Sequence, residues 1–471
     1  MDKALWTPGQ DRLDRANLSR FMRFVREEIG NADFNTYPEL YRFSVEQPAK
    51  FWTLFWDFVG IRGSGERTPV LAEGEHMAEA RWFPGVSLNF AQNLLRFDDE
   101  RIAIRWQGAP EGSDSLSYAQ LQRRVAALAA ALRAEGIESG DRILSRLANV
   151  PDALVAMLAC ASIGAVWFAL PPKLGRDLEQ GLLARIGAKR ELRPSEDLDA
   201  LIAPYEGAAH EFSALPFEHP LYLTLAGDAE TPELLVHGAG GTLIQHLKEL
   251  VLHVDLRRED KLHLQAPEGS LAWYWLASAL ATGCTLVLNA DDEPAPDANA
   301  LWDFVDEAGI SVLGLHGHWI NAAAKGESKP MDSHRLLALK TVLVAGVPPS
   351  PQAYDFAYSR IKERLFLAPV LIGGDTLACL ALGSPILPVH RGEIPCRALG
   401  MKVEVLNEAG EALVGEVGDL ACSAPFPSLP LGFADDAEGE RYLRAYFSRQ
   451  PGRWSRGARA TLTARESLIP D

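Results

Sequence analysis

Cysteine is scarce in this sequence: Cys160, Cys284, Cys379, Cys396 and Cys422 are the five in 471 residues. No two form a CxxC pair, and an odd, widely spaced set does not make a disulfide framework, so a reducing, cytoplasmic setting is expected. Positive charge is also short. Lys plus Arg number 46 against 63 Asp plus Glu, for a formal net charge of −17. That balance argues against a nucleic-acid or anionic-membrane partner, because phosphate surfaces need a broad basic footprint; a local basic pocket stays open. The segment 1–10 lacks an apolar core behind a basic start, so no signal peptide is expected. No GxSxG elbow occurs, and Gly238-x-Gly240-Gly241 is not the dinucleotide GxGxxG pattern. There are no internal repeats and no low-complexity segments.

Two uncharged runs, 153–170 and 269–290, approach the ~20 residues of a spanning helix. Each divides at a glycine. A helix-like stretch reaches Gly164 before the strand-like 165–170, and another reaches Gly283 before 284–290. Glycine closes a helix, and the β-rich run after it reads as a buried strand, so no membrane span is expected. The repeated helix–strand grammar predicts an α/β protein with mainly parallel sheets.

With 47% hydrophobic and 23% charged residues the composition is globular, and the length favours two or three lobes. Aromatics crowd residues 1–100, where Phe51, Phe55 and Phe58, with Trp52 and Trp56, have helical spacing; a helical N-terminal cap is expected there. Ser117-x-x-Gln120 predicts a capping box before a helix over 118–134, and Pro151 the start of another. Helices are also expected over 178–186, 238–252, 302–308 and 353–362, and strands over 310–315 and 341–345. From 395 short strands and turns suggest a β-rich lobe, with strands over 402–406 and 416–422.

Several long segments carry a resemblance. They include Trp82-Phe83-Pro84-Gly85-Val86-Ser87-Leu88-Asn89, His237-Gly238-Ala239-Gly240-Gly241, His246-Leu247-Lys248-Glu249-Leu250, Pro388-Val389-His390-Arg391-Gly392-Glu393 and Gly415-Glu416-Val417-Gly418-Asp419-Leu420. Over nearly its whole length the chain resembles the AMP-forming acyl-CoA synthetases, and among them the acetoacetyl-CoA synthetases. The resemblance implies an acyl-adenylate-synthetase large domain: a helical N-terminal cap (1–100), an α/β AMP-binding-like core of two subdomains (101–395) and a small β-rich lobe (396–471). Such enzymes turn ATP and a carboxylate into an acyl-adenylate and then pass the acyl group to coenzyme A. ATP and magnesium are implied by the resemblance alone.

The departures from the family pattern concentrate on the nucleotide. The family's phosphate loop is rich in Ser, Thr and Gly and ends in Pro-Lys. The matching segment here is Gly227-Asp228-Ala229-Glu230-Thr231-Pro232-Glu233. Gly227 and Pro232 remain, while Asp228, Glu230 and Glu233 bring three carboxylates; an acidic surface turn without ligand is the plainer reading. Two unit charges ~4 Å apart interact by ~1 kcal/mol in water and by ~4 kcal/mol at an effective dielectric near 20, so a change of sign opposes ATP. In Gly373-Gly374-Asp375-Thr376, Gly374 replaces the family's threonine. Asp375 matches its magnesium-binding acid, against the plainer reading of a solvated loop aspartate. Ala458 stands where the family's ribose-holding Asp would be, and 344–347 lacks the hydroxyls of the family's Ser-Thr-Gly-Ser-like turn. The resemblance also places residue 471 before the hinge, so the mobile C-terminal domain and its adenylation lysine are expected to be absent.

Other candidates are weaker. His316-Gly317-His318 offers two metal ligands without a third nearby, and His246 and His253 suit a core or solvent face better than a metal. Trp273, Tyr274 and Trp275 suit an acyl pocket or plain core packing equally. No residue is expected to be catalytic. The sequence therefore points to an acetoacetyl-CoA synthetase-like protein of lipid metabolism that has become a pseudoenzyme. Its role would be binding or regulatory, in a homo- or hetero-oligomer with an active homologue or around a small carboxylate or acyl-CoA. The competing expectation is an active ligase or adenylating subunit for acetoacetate or another short-chain acid, completed by another chain.

Overall fold

A computed structural model describes residues 3–30, 35–109, 112–171, 174–195, 197–289 and 298–471. Met1 and Asp2 of the segment read for a leader, and Ala290 at the end of the second uncharged run, lie outside these residues. Two large sheets dominate. One has seven strands, running in space from Phe366–Pro369 through Thr341–Ala345, Val312–His316, Lys261–Leu264, Thr285–Asn289 and Ile102–Ala109 to Gly112–Ser117. All its neighbours are parallel except the final hairpin. The other has six strands, and its parallel centre is Arg190–Leu192, Arg142–Ser145, Val166–Ala169 and Pro220–Ala226. Glu233–Gly238 and Gly432–Phe433 extend it antiparallel.

The sequence signals for these elements have visible physical causes. Ser117 and Gln120 make the reciprocal capping box that opens Tyr118–Ala134. Pro151–Ile163 has no polar face, and from Ala153 onward every residue is buried, which is why its sequence lacks amphipathic alternation. Gly164 closes it in the left-handed conformation, and Val166–Ala169 follows as a fully buried strand. Leu271–Ser278 and Thr285–Asn289 repeat the pattern. No helix among the described residues is long and apolar enough to cross a membrane. The five cysteines are buried and unpaired.

Between residues 10 and 59 four helices gather the N-terminal aromatics, with Phe21 set edge-on to Phe51 and Phe55. From 60 to 100 the chain instead makes short strands, a single 3-10 turn (Met77–Glu79) and one small α-helix (Phe90–Leu94), so the helical part of the N-terminal region is shorter than expected. The small sheet of Leu371–Ile372, Cys379–Leu382 and Cys396–Arg397 straddles residue 395. Beyond it Val403–Leu406, Val417–Cys422, Arg459–Leu462 and Leu468–Pro470 form an antiparallel sheet. A helix, Glu440–Phe447, lies within this β-rich stretch.

The core contains an ion pair. Lys248 Nζ lies 3.2 Å from Glu249 Oε1, and both side chains are fully buried. Glu249 also accepts Cys379 N–H at 2.8 Å and Trp275 Nε1–H at 3.0 Å, so its charge is spread over three donors.

Candidate nucleotide-site region

The segment matched to the phosphate loop is the connection of a hairpin. Pro220–Ala226 and Glu233–Gly238 pair with Ala226 opposite Glu233, leaving 227–232 as the loop. Gly227 has φ +82°, a left-handed turn that favours glycine. Asp228 caps its own loop, its Oδ1 accepting Glu230 N–H at 3.0 Å, and both residues are exposed. Asp228 and Glu230 thus form an exposed acidic turn.

Glu233 behaves differently. Its carboxylate takes Arg185 Nη2 at 2.8 Å and Arg441 Nη1 at 2.7 Å. The same two guanidiniums hold Asp435, at 2.8 Å and 2.7 Å. These hydrogen bonds, with Arg185 first, push the Asp435 carboxyl down to about 2. Arg185 comes from helix Arg176–Ile186 and Arg441 from Glu440–Phe447. Strand Gly432–Phe433, docked on Leu235 and Val236, delivers Asp435 and Arg441 to this corner. The inverted charge at 233 thus has two built-in cations. Together Arg185, Glu230, Glu233, Asp435 and Arg441 line an open groove of about 790 Å³. Both arginines are already committed to carboxylates, so a polyanion entering it would have to compete for them.

Asp375 is buried, only 5% exposed. The solvated-aspartate expectation is therefore corrected: the strand-to-strand turn between Leu371–Ile372 and Cys379–Leu382 folds it inward, under Glu440–Phe447. Its Oδ2 accepts the Tyr446 hydroxyl at 2.7 Å, and its Oδ1 pairs with Arg456 Nη1 at 2.9 Å. Burial raises the Asp375 carboxyl above the usual aspartate range, while Arg456 and the Tyr446 hydrogen bond oppose that rise. Gly374 has φ +53°, and a Cβ built on it would lie 2.5 Å from Arg456 Nη1. The missing threonine and the arginine are thus two sides of one packing arrangement. Ala458, two residues beyond Arg456, is exposed and uses its carbonyl to accept Leu420 N–H at 2.8 Å.

These residues do not fit a bound magnesium ion as they stand. Asp375 has both oxygens engaged, and no group of three or more His, Cys, Asp or Glu among the described residues is arranged to hold a metal. His316 and His318 stack on each other with no third metal-ligating side chain grouped with them among the described residues, and His316 packs against Gly346 in the 344–347 turn. His246 and His253 are core residues, bonded to Ser278 and Leu377 and to Gly383 respectively. Burial lowers them to about 4 and about 3, keeping both neutral. Trp273, Tyr274 and Trp275 are buried and satisfied within the core: Trp273 donates to Asn149, Tyr274 stacks on Tyr222, and Trp275 donates to Glu249. Gly240 and Gly241 sit where side chains would overlap Phe217 and Pro427, at the start of helix Ala239–Lys248.

The partners Arg185, Asp435, Arg441, Tyr446 and Arg456 were not found from the sequence. Tyr442 and Tyr446, four residues apart, were the available sign of the helix that carries two of the elements of this region. Nothing local marks Arg456 as a partner for a residue 81 positions earlier.

Two large, mainly parallel sheets with four smaller ones around them match the fold of the adenylate-forming enzymes. Profiles of the AMP-binding enzymes and of the acetyl-coenzyme A synthetase N-terminus match residues 90–207 and 37–94. The chain is 34% identical to an acetoacetyl-coenzyme A synthetase of Rhizobium meliloti, over 99% of this chain and 79% of that one. It is 35% identical to an acetoacetyl-CoA synthetase of Xenopus tropicalis, over 97% and 76%. The solved acetoacetyl-CoA synthetase from Streptomyces lividans superposes with a TM-score of 0.92 at 30% identity, covering 99% of this chain and 80% of that one. The chain belongs to the acetoacetyl-CoA synthetase family.

Proposed function

We propose that this family member is a pseudoenzyme with a binding or regulatory role, and that its own side chains take the place of the nucleotide and its metal. The observation that carries the reading is the cluster of Asp375, Tyr446 and Arg456 over Gly374. Arg456 supplies the positive charge that magnesium would bring to Asp375, and it supplies it permanently. Glu233, clamped between Arg185 and Arg441, supports the same reading at the phosphate loop. Ala458 offers no carboxylate to ribose hydroxyls, a loss of roughly 1.5–3 kcal/mol for each charge-assisted hydrogen bond.

The domain division is proposed as a cap over 1–100, an α/β core over 101–395 and a β-rich lobe over 396–471, in a cytoplasmic protein that associates with an active homologue. Calorimetry with MgATP tests the reading: no heat of binding is expected, and no pyrophosphate on mixing protein, acetoacetate and MgATP. Saturable MgATP binding would overturn it. Pyrophosphate release that depends on acetoacetate would establish the competing reading, an adenylating subunit for a short-chain acid.

A further inference from the structure

A second region carries unassigned chemistry. It lies at the carboxyl ends of Arg142–Ser145, Val166–Ala169 and Lys261–Leu264, where a cavity of about 440 Å³ is lined by Arg146, Leu147, Asn149, Leu170, Glu179 and Glu268, among others. The loop between Lys261–Leu264 and Leu271–Ser278 brings Glu268 to this cavity. Its Oε1 accepts the hydroxyl of fully buried Ser145 at 2.6 Å. Its other oxygen, Oε2, accepts no hydrogen bond from a described residue.

No cation among the described residues compensates this carboxyl. Arg146, on the same cavity wall, is committed to Glu179 at 2.6 Å and to Glu191. Glu191 also holds Arg193, at 2.8 Å. Asn149 turns its Oδ1 to Trp273. Burial pushes the Glu268 carboxyl up to about 8, and the Ser145 hydrogen bond is what opposes it. A half-buried acid that faces a cavity with no counter-charge among the described residues is costly to ionise, and a cation delivered from outside lowers that cost.

We propose that this cavity binds a small organic cation, a primary amine with a short apolar body, whose ammonium pairs with Glu268 while its carbons lie against Leu147 and Leu170. Leu170 is buried and Leu147 half-buried, which suits a carbon chain rather than a second charge. The proposal is independent of the pseudoenzyme reading, because Asp375, Arg456 and the phosphate-loop residues do not line this cavity.

Among the described residues, the charged and titratable groups around Glu268 are Arg146 beyond Arg142–Ser145, Glu179 on Arg176–Ile186, Glu191 on Arg190–Leu192 and the Tyr274 hydroxyl on Leu271–Ser278. Of these, Arg146 and Glu191 are already paired with each other. Binding of an ammonium must therefore expel the Glu268 proton wherever that carboxyl is protonated. Its affinity should weaken by up to about tenfold per pH unit below about 8 and level off above it.

The test titrates the full chain with n-butylamine and with neutral 1-butanol, by calorimetry and by ligand-observed NMR, from about pH 6 to about pH 9. The expected result is at least about tenfold tighter binding of the amine at the alkaline end, a preference that shrinks in acid. Glu268→Gln, which keeps shape but not charge, should abolish the preference. Equal binding of amine and alcohol by the wild-type chain overturns the proposal, as does failure of either to bind at about 0.1 M, near the weak limit for a specific contact. A Glu268→Gln protein that retains the preference also overturns it. The wild-type comparison decides the matter even if the variant does not fold.

Discussion

Arg456→Met tests whether the arginine is a structural counter-ion for Asp375. Methionine keeps an apolar stem over Gly374 and removes the charge. Removing one partner of a buried pair costs ~3–5 kcal/mol. The Arg456 side chain is 43% exposed while Asp375 is 6% exposed, so water screens one side of the pair. The expected cost falls to about 1–2 kcal/mol at neutral pH. The loss should depend on pH. The Asp375 carboxyl is raised in the folded protein, so its contribution to stability is fully present below the ordinary aspartate value and is lost as pH rises through the folded value. Without Arg456 the folded value rises further and that loss deepens. The variant should therefore match the wild type most closely in acid, near about pH 4, and fall furthest below it near about pH 7. Urea denaturation at both pH values measures this. In an Asp375→Asn background the same replacement should cost less than ~0.5 kcal/mol. A loss independent of pH, or one that persists in the Asn background, would refute the pairing argument.

Glu233→Lys restores the family's residue type at the end of the phosphate loop, yet places a third cation beside Arg185 and Arg441. A loss of about 1–2 kcal/mol without gain of MgATP binding is expected, by thermal denaturation and calorimetry, with the loss reduced by salt. Lys248→Met removes the counter-charge of Glu249 in the core and should cost ~3–5 kcal/mol, part of which returns in the double variant with Glu249→Gln. Ala458→Asp lies on exposed backbone and should change stability by less than ~0.5 kcal/mol. Alone it should restore no nucleotide binding, because Asp375 remains held by Arg456 and Tyr446.

The large architecture was legible in the sequence wherever one segment carries its own signal. Ser117 and Gln120 announced a helix start, and Gly164 and Gly283 marked the joints between buried helices and strands. The departures at Asp228, Glu230, Glu233, Gly374 and Ala458 were equally visible, because they are single residues set against an aligned pattern. Less visible was the helix Glu440–Phe447, which sits amid turns and short strands and shows only one apolar stripe.

What the sequence by itself determined is the family, the parallel α/β layers and the positions at which the nucleotide pattern changes. These follow from local periodicity, turn chemistry and residue identity. Only the tertiary structure decided what those changes mean. Glu233 looked like bare repulsion until Arg185 and Arg441 closed on it, and Asp375 looked solvated until Tyr446 and Arg456 covered it. Glu268 carried no local signal; the ends of three strands set it facing a cavity whose described cation, Arg146, is already paired with Glu179 and Glu191. The reason is physical: the energy of a charge depends on which other charges, and how much water, lie within a few ångströms, and those neighbours come from distant parts of the chain.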